Sequence, residues 1–595
     1  MSSLSLPRRR KRLLVAGATT VAVLIGTAVA VGVHASQQGP PSGPSQPSGV
    51  ITIPSSVTAS DGERYRITNH LTQEVIADPG SERHQWLLAW VGDEDSNAPA
   101  QSTADPDFLA VIDVTKGSRT YGKVVNTVTI DTVLGNEPHH MQYQWRKGDK
   151  VYAGGILSGF TYVFDVERLP VVHLSGVVPS TALPCSSLPD AYQVLSDGTA
   201  YGTYMGGPQV SGPCEYTDGQ IRVGNGFGGS PGAIVRIAPD GTVLSEAPAA
   251  STEDEGPTCG NIPALEISTC ANPHGIALRE DLDILITGDF AEARNLIGGV
   301  LPDVMVIRDT MRVFDISDRN RPALLSVSRL PNGPREGWAP DERVAERWGP
   351  MEVATPHGAE HRGAFVSTLN GVVYYASDVT VAEPQWRVVY DDYNAFRELF
   401  PVDTPTSMID GGSWIQVSPD NRFLFRIVLG GGANSPGEVE TGMLLTLDIQ
   451  ELLAAGADVE CEITTLEEMA EGGSAPDCPH LVSVVPIEDT TPGGPHWAVA
   501  DLFELDGAGL YRESDRVQRI ATTNYFLAAT GTGGDHRVCL FDVSEQGELS
   551  LDTAFRDEHE GTPCLDFNRA SWPHGPTGNA RPHGVLFTIA DRDVR

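Results

Sequence analysis

One unit keeps returning along this chain: a Gly/Pro-rich approach, a short apolar run, a polar turn, a second strand, and a closing strand ending in Asp-Val or Asp-Ile. Pro273-His274-Gly275-Ile276-Ala277-Leu278 ahead of Asp283-Ile284-Leu285-Ile286-Thr287 is one copy. Gly412-Ser413-Trp414-Ile415-Gln416-Val417 ahead of Phe423-Leu424-Phe425 is another. Closing strands appear as Val313-Phe314-Asp315-Ile316, Leu445-Thr446-Leu447-Asp448-Ile449 and Leu540-Phe541-Asp542-Val543. Short runs rich in β-branched and aromatic residues, bounded by turn formers, read as strands. Helical periodicity is scarce, clearest from Gln450 to Ala457. A sheet unit repeated in this way points to the blades of a β-propeller. Innermost strands are expected to start at His139, Asp190, His274, His357, Ser413, His496 and His583. The predicted fold is therefore all-β, a seven-bladed β-propeller over residues 60–595.

In a propeller the first residues of the innermost strands point to one mouth of the central channel, so residues far apart in sequence converge there. Seven of the fifteen histidines directly follow a proline, including His139, His274, His357, His496 and His583 at expected strand starts. A single Pro-His reads as a turn histidine bonded to backbone. Five at equivalent blade positions read as a metal site, because neutral imidazole is the common protein ligand for copper, iron and zinc. The candidate ligands are His139, His140, His274, His357, His496 and His583. Glu137, Glu352, Glu360 and Asp501 are the candidates to accept the ligands' other N–H groups, a partner that metal-bound histidine usually has. His361, His536 and His574 are expected to line the mouth, and His480 to lie in a loop. No catalytic residue apart from the metal site and no organic cofactor is expected. The chain has no Gly-x-Ser-x-Gly elbow, P-loop or His-Glu-x-x-His, and Gly224-Asn225-Gly226-Phe227-Gly228-Gly229 precedes no helix.

The N-terminus carries an export signal: Arg8-Arg9-Arg10-Lys11-Arg12, an uncharged apolar run from Leu13 to Val33, and Val33-His34-Ala35 as a cleavage site. The run is long enough to cross a bilayer core of about 30 Å. Residues 1–35 are thus a signal peptide or a membrane anchor, and either places the rest outside the cytoplasm. Residues 36–59, rich in Pro, Gly, Ser and Gln at their start, read as a linker. The formal net charge of −37 argues against nucleic acid or anionic membrane surfaces as partners, leaving membrane contact to the N-terminal segment. Eight cysteines in an exported chain suggest disulfides. Their order suggests local pairs: Cys185 with Cys214, Cys259 with Cys270, Cys461 with Cys478, and Cys539 with Cys564. The sequence sets no oligomeric state.

Asp105-Pro106-Asp107-Phe108-Leu109-Ala110-Val111-Ile112-Asp113-Val114, followed by Asn136-Glu137-Pro138-His139-His140, resembles the opening of the selenium-binding protein and methanethiol oxidase family. Ser418-Pro419-Asp420-Asn421-Arg422-Phe423-Leu424-Phe425 is similar too, as is the order from Gly493-Gly494-Pro495-His496 to His583. The resemblance implies a seven-bladed propeller. For exported bacterial members it implies a copper enzyme oxidising a small thiol, methanethiol, with O2 to formaldehyde, hydrogen sulfide and hydrogen peroxide. His139, His140 and His583 carry over. Two places depart from the family. Leu188-Pro189-Asp190-Ala191-Tyr192 stands where the family has a His-bearing segment, and Gln144-Trp145-Arg146-Lys147 stands where it has cysteines. His274, His357 and His496 are this chain's own candidates for the remaining ligands. Two other readings stay open: a non-catalytic, selenium-binding-like extracellular propeller, and a four-His non-haem iron oxygenase on the same frame.

Overall fold

Blades stacked face to face bury both surfaces of their inner strands, so those strands should read as continuous apolar runs, unlike the alternating strands at the rim. The computed structural model shows this gradient. Gln85–Asp93 and Val372–Ala376 are buried at every position, whereas Ala323–Arg329, at the outer edge of its blade, is mostly exposed or half-buried. The structure describes residues 49–76, 83–94, 105–131, 135–251, 259, 267–294, 307–334, 345–395, 411–429, 440–489, 494–525, 527 and 534–595.

Seven antiparallel sheets of four to six strands form a seven-bladed β-propeller. The innermost strands, in chain order, are Pro138–Met141 (blade 1), Ser187–Val194 (blade 2), Pro273–Arg279 (blade 3), Pro350–Ala354 (blade 4), Gly412–Val417 (blade 5), Trp497–Asp501 (blade 6) and Ala580–Ile589 (blade 7). Each touches the next, and the last touches the first. Blade 7 is made from both ends of the chain. Ala580–Ile589 pairs with Gln85–Asp93, and Phe108–Asp113, Val124–Ile130, Arg64–Thr72 and Val50–Thr58 follow outward. This ladder closes the ring and leaves no open seam between the first and last blades.

Two expectations change. His357 does not open an innermost strand: blade 4 starts at Pro350, and His357 sits in the turn beyond its end. The proline that matters there is Pro350, whose blade position holds a glutamate and no histidine. The span 36–59 is not all linker either, since Val50–Thr58 pairs along its whole length with Arg64–Thr72. Residues 1–35 and the start of that linker lie outside the described residues. The four disulfides form as the local pairs expected. The helix expected at Gln450 runs to Ala455 and buries Leu452 and Leu453.

Because ring closure uses the last strand of the chain, a chain ending before Ala580 should lose its cooperative thermal transition. A chain starting at Gly49 should keep it. Circular dichroism melts of the two truncations test this.

Candidate metal centre

Proline has no N–H to give a sheet ladder, so a strand that opens with proline is disposed to break register there. Six of the seven innermost strands have proline at this place: Pro138, Pro189, Pro273, Pro350, Pro495 and Pro582, with Gly412 in the seventh. Six blades also bulge immediately afterwards. His139 and His140 together stand opposite Gly154, Asp190 and Ala191 opposite Thr203, and His274 and Gly275 opposite Gly288. Met351, just before Glu352, is the extra residue of blade 4, Ser413 and Trp414 share one partner in blade 5, and His583 is the extra residue of blade 7. Bulges re-aim side chains, and here they sit at one level of the ring. Backbone strain accompanies them: Glu137 and Leu188, just before two of the prolines, have φ of 49° and 58°.

Hydroxyls from the preceding blade fix the backbone of three of these histidines. Thr203 Oγ1 donates to His274 O at 2.5 Å, Ser413 Oγ to His496 O at 2.7 Å, and Thr523 Oγ1 to His583 O at 2.6 Å. Close approach of the blades also needs glycine. A Cβ on Gly275 would lie 2.6 Å from Glu352 Oε2, and one on Gly584 would lie 2.8 Å from His139 O.

The result is a buried cluster. His139, His140, His274 and His496 place one candidate ligand atom each within 4.8 Å of one another. His583 packs against them, its ring 4.1 Å from that of His139 and 5.0 Å from that of His496. Trp497 stacks on His140 at 4.2 Å. Two carboxylates reach in from blades 2 and 4. Asp190 lies 2.9 Å from His139 Nε2 and 3.3 Å from both His140 Nδ1 and His274 Nδ1. Glu352 lies 3.3 Å from His274 Nδ1 and 3.8 Å from His140 Nδ1, and accepts a hydrogen bond from Tyr143 Oη.

These contacts assign protons. His274 Nδ1 is 2.9 Å from Met351 O, which can only accept, so that nitrogen carries hydrogen. Ser413 has spent its hydroxyl proton on His496 O, so its oxygen, 3.0 Å from His496 Nδ1, accepts the proton there. His140 Nδ1 faces the two carboxylates. The lone pairs of His140 and His496 then both sit on Nε2, and those atoms are 2.9 Å apart. Two facing lone pairs repel unless a cation holds both. The spacing suits neighbouring ligands on an ion with N–metal bonds of about 2.0–2.1 Å. His583 adds to the case, since both its nitrogens and His139 Nδ1 are buried without a hydrogen-bond partner. Each such group costs about 1–3 kcal/mol.

Burial pushes His140 down to about 3, helped by the neighbouring imidazoles and opposed by Asp190. Burial and the other histidines likewise hold His496 and His583 well below their ordinary value. For His274 burial is outweighed by Asp190 and Glu352, which lift it to about 8. Burial raises the Asp190 carboxyl, but His274 and His140 overcome it and leave it well below the carboxylate range. Burial raises Glu352. His140, His496 and His583 are therefore neutral, the form that donates to a metal.

Five of the six candidate histidines meet here, and His357 does not. It is exposed, its N–H donating to Asn421. Glu352 alone of the four candidate acceptors touches the imidazoles. Glu137 accepts from Tyr525, whose ring lies 5.6 Å from His583. Asp501 is at the far end of its strand, paired with Arg519 and Gln85, and Glu360 is exposed beside His361. His536 packs on Tyr525, His574 bonds Thr127 and Thr577, and His480 is a surface residue beside Glu451. The sequence alone assigns no role to Asp190, Tyr143, Ser413 or Trp497. The available signal was positional: Pro189-Asp190 and Pro350-Met351-Glu352 occupy the Pro-His place of their blades.

The chain is similar to solved structures. A hypothetical selenium-binding protein of Sulfolobus tokodaii is similar at 13% identity, over 85% of this chain and 94% of its own, with a TM-score of 0.51. The periplasmic gluconolactonase of Pseudomonas aeruginosa is similar at 12% identity, over 85% and 99%, with a TM-score of 0.43. At such identities the likeness speaks to fold alone. No family model and no curated protein matches the chain.

His140→Ala or His274→Ala should lower bound metal strongly, while His357→Ala should leave it unchanged, as read by elemental analysis of purified protein. Ser413→Ala removes the acceptor that orients His496 and should weaken metal affinity about 10–100-fold in a chelator competition.

Proposed function

We propose that this chain is an exported metal-dependent oxidase similar to the methanethiol oxidases of the selenium-binding protein family. It would act on a small thiol, methanethiol, with O2 and one water, yielding formaldehyde, hydrogen sulfide and hydrogen peroxide. What supports this above all is the buried group of four histidines from three blades with ligand atoms within 4.8 Å. His139, His140, His274 and His496 would hold the ion, with His583 against them. Copper, when bound, supplies one-electron chemistry between a thiol and dioxygen.

The chain's own residues contribute orientation and dryness. Asp190, Glu352, Ser413 and the Met351 carbonyl fix the imidazole rings from behind. Trp497 covers one face of His140 and keeps water from it. Tyr143 Oη keeps its proton, since burial and then Glu352 raise it well above its ordinary value, and it directs that proton to Glu352 Oε2 beside His274. The fold likeness to the Sulfolobus protein supports the same reading, and four disulfides fit an oxidising compartment outside the cytoplasm. All eight cysteines are paired, which leaves no thiol to bind selenium. No described helix is long and apolar enough to cross a membrane.

Asp190 and Glu352 among the imidazoles favour one second reading, a non-haem iron oxygenase, because carboxylate oxygen suits iron better than it suits copper(I). Protein purified without a His tag should contain stoichiometric copper and consume O2 with methanethiol, and His140→Ala should lower both at least about tenfold. Iron in place of copper would select the oxygenase. Metal-free protein would leave a non-catalytic propeller.

A further inference from the structure

A cavity of about 300 Å³ lies along the same channel, beyond the histidines. Its walls are the far ends of the innermost strands of blades 2 to 5, together with Tyr143 just past the end of blade 1. Tyr143 belongs to both places. It lines the cavity, and its hydroxyl donates to Glu352, which touches His274 and His140. The Ile276 N–H holds that hydroxyl from the side at 3.3 Å, and the Tyr143 ring lies 5.0 Å from Trp497. Tyr143 thus links the cavity to the cluster through Glu352.

The wall chemistry says what can wait there. Asp149, Glu280 and Asp281 face two cations, Arg146 and Arg279. Arg279 is saturated: Asp281 takes two of its N–H groups at 2.8 and 2.7 Å, and the carbonyls of Pro356, Gly358 and His361 take the others. With three carboxylates against two guanidiniums, in a chain of net charge −37, an anion gains nothing by entering. Gln416 Oε1 is buried in the wall with no hydrogen-bond partner, an acceptor suited to an O–H or N–H. The volume is at the lower end of the roughly 300–1,000 Å³ of small-molecule sites, and larger than a one-carbon thiol requires.

We propose that this cavity is the antechamber of the histidine cluster and that it admits small uncharged thiols bearing a hydrogen-bond donor, excluding thiolates and carboxylate-bearing thiols. The substrate then arrives with its S–H intact and meets the cluster past Tyr143. This rests on the cluster being the reaction centre, so the test separates the two. Saturation-transfer NMR on metal-free protein compares 2-mercaptoethanol with mercaptoacetate, which differ in charge at similar size. The neutral thiol should bind at least about tenfold more tightly. Its signal should vanish in Gln416→Trp and in Thr355→Trp, which fill the cavity from blades 5 and 4 without touching the cluster. In metal-loaded protein the same variants should raise KM for a neutral thiol and leave metal content unchanged. Equal binding of the two thiols, or signals that persist in both variants, would overturn the proposal. Absence of metal would instead sink the reaction centre, and leaves the NMR comparison readable.

Discussion

Everything in this molecule depends on the ladder between the two ends of the chain. Ala580–Ile589 carries His583 and pairs with Gln85–Asp93, so the strand that closes the ring also brings the last histidine to the others. Seven stacked sheets would otherwise have an unpaired edge at each end. The residues around the imidazoles come from blades 1 to 7, hundreds of positions apart, and no single blade contains them. Stability of the ring and existence of the site are therefore one condition.

Within that frame the site is an electrostatic compromise. Five buried imidazoles would be a liability if charged, and burial keeps three of them neutral. The two carboxylates are placed to hold Nδ1 protons, and both of them raise His274 above its ordinary value. The Nε2 atoms of His140 and His496 face one another at 2.9 Å. A cation there would turn a repulsive pair into the centre of the cluster, and the strain at Glu137 and Leu188 would serve to keep those ligands aimed.

Much of the fold was legible because a propeller blade is a local object. Strand runs such as Val313-Phe314-Asp315-Ile316 and the turns between them are encoded within a few residues, and six of the seven innermost strands lie where their first residues suggested. The failure at His357 is informative. Pro356-His357 matches the dipeptide, but the blade's strand had already begun at Pro350, within a segment whose Met351 and Val353 face the core. Reading histidine as the marker hid the rule, which is proline followed by a bulge. By that rule Asp190 and Glu352 are equivalents of the histidines, and they supply the carboxylates that the imidazoles face.

The sequence by itself determined the repeating sheet unit and the residues able to bind a metal, and suggested the disulfide partners, because each is local in the chain. Only the tertiary structure decided which of those residues meet. Whether a side chain reaches the channel depends on bulge register and on ring closure, and both are set by strands from other blades. For that reason Asp501 and Glu360, suitable by chemistry, stand apart from the imidazoles, while Asp190, Ser413 and Trp497 stand among them.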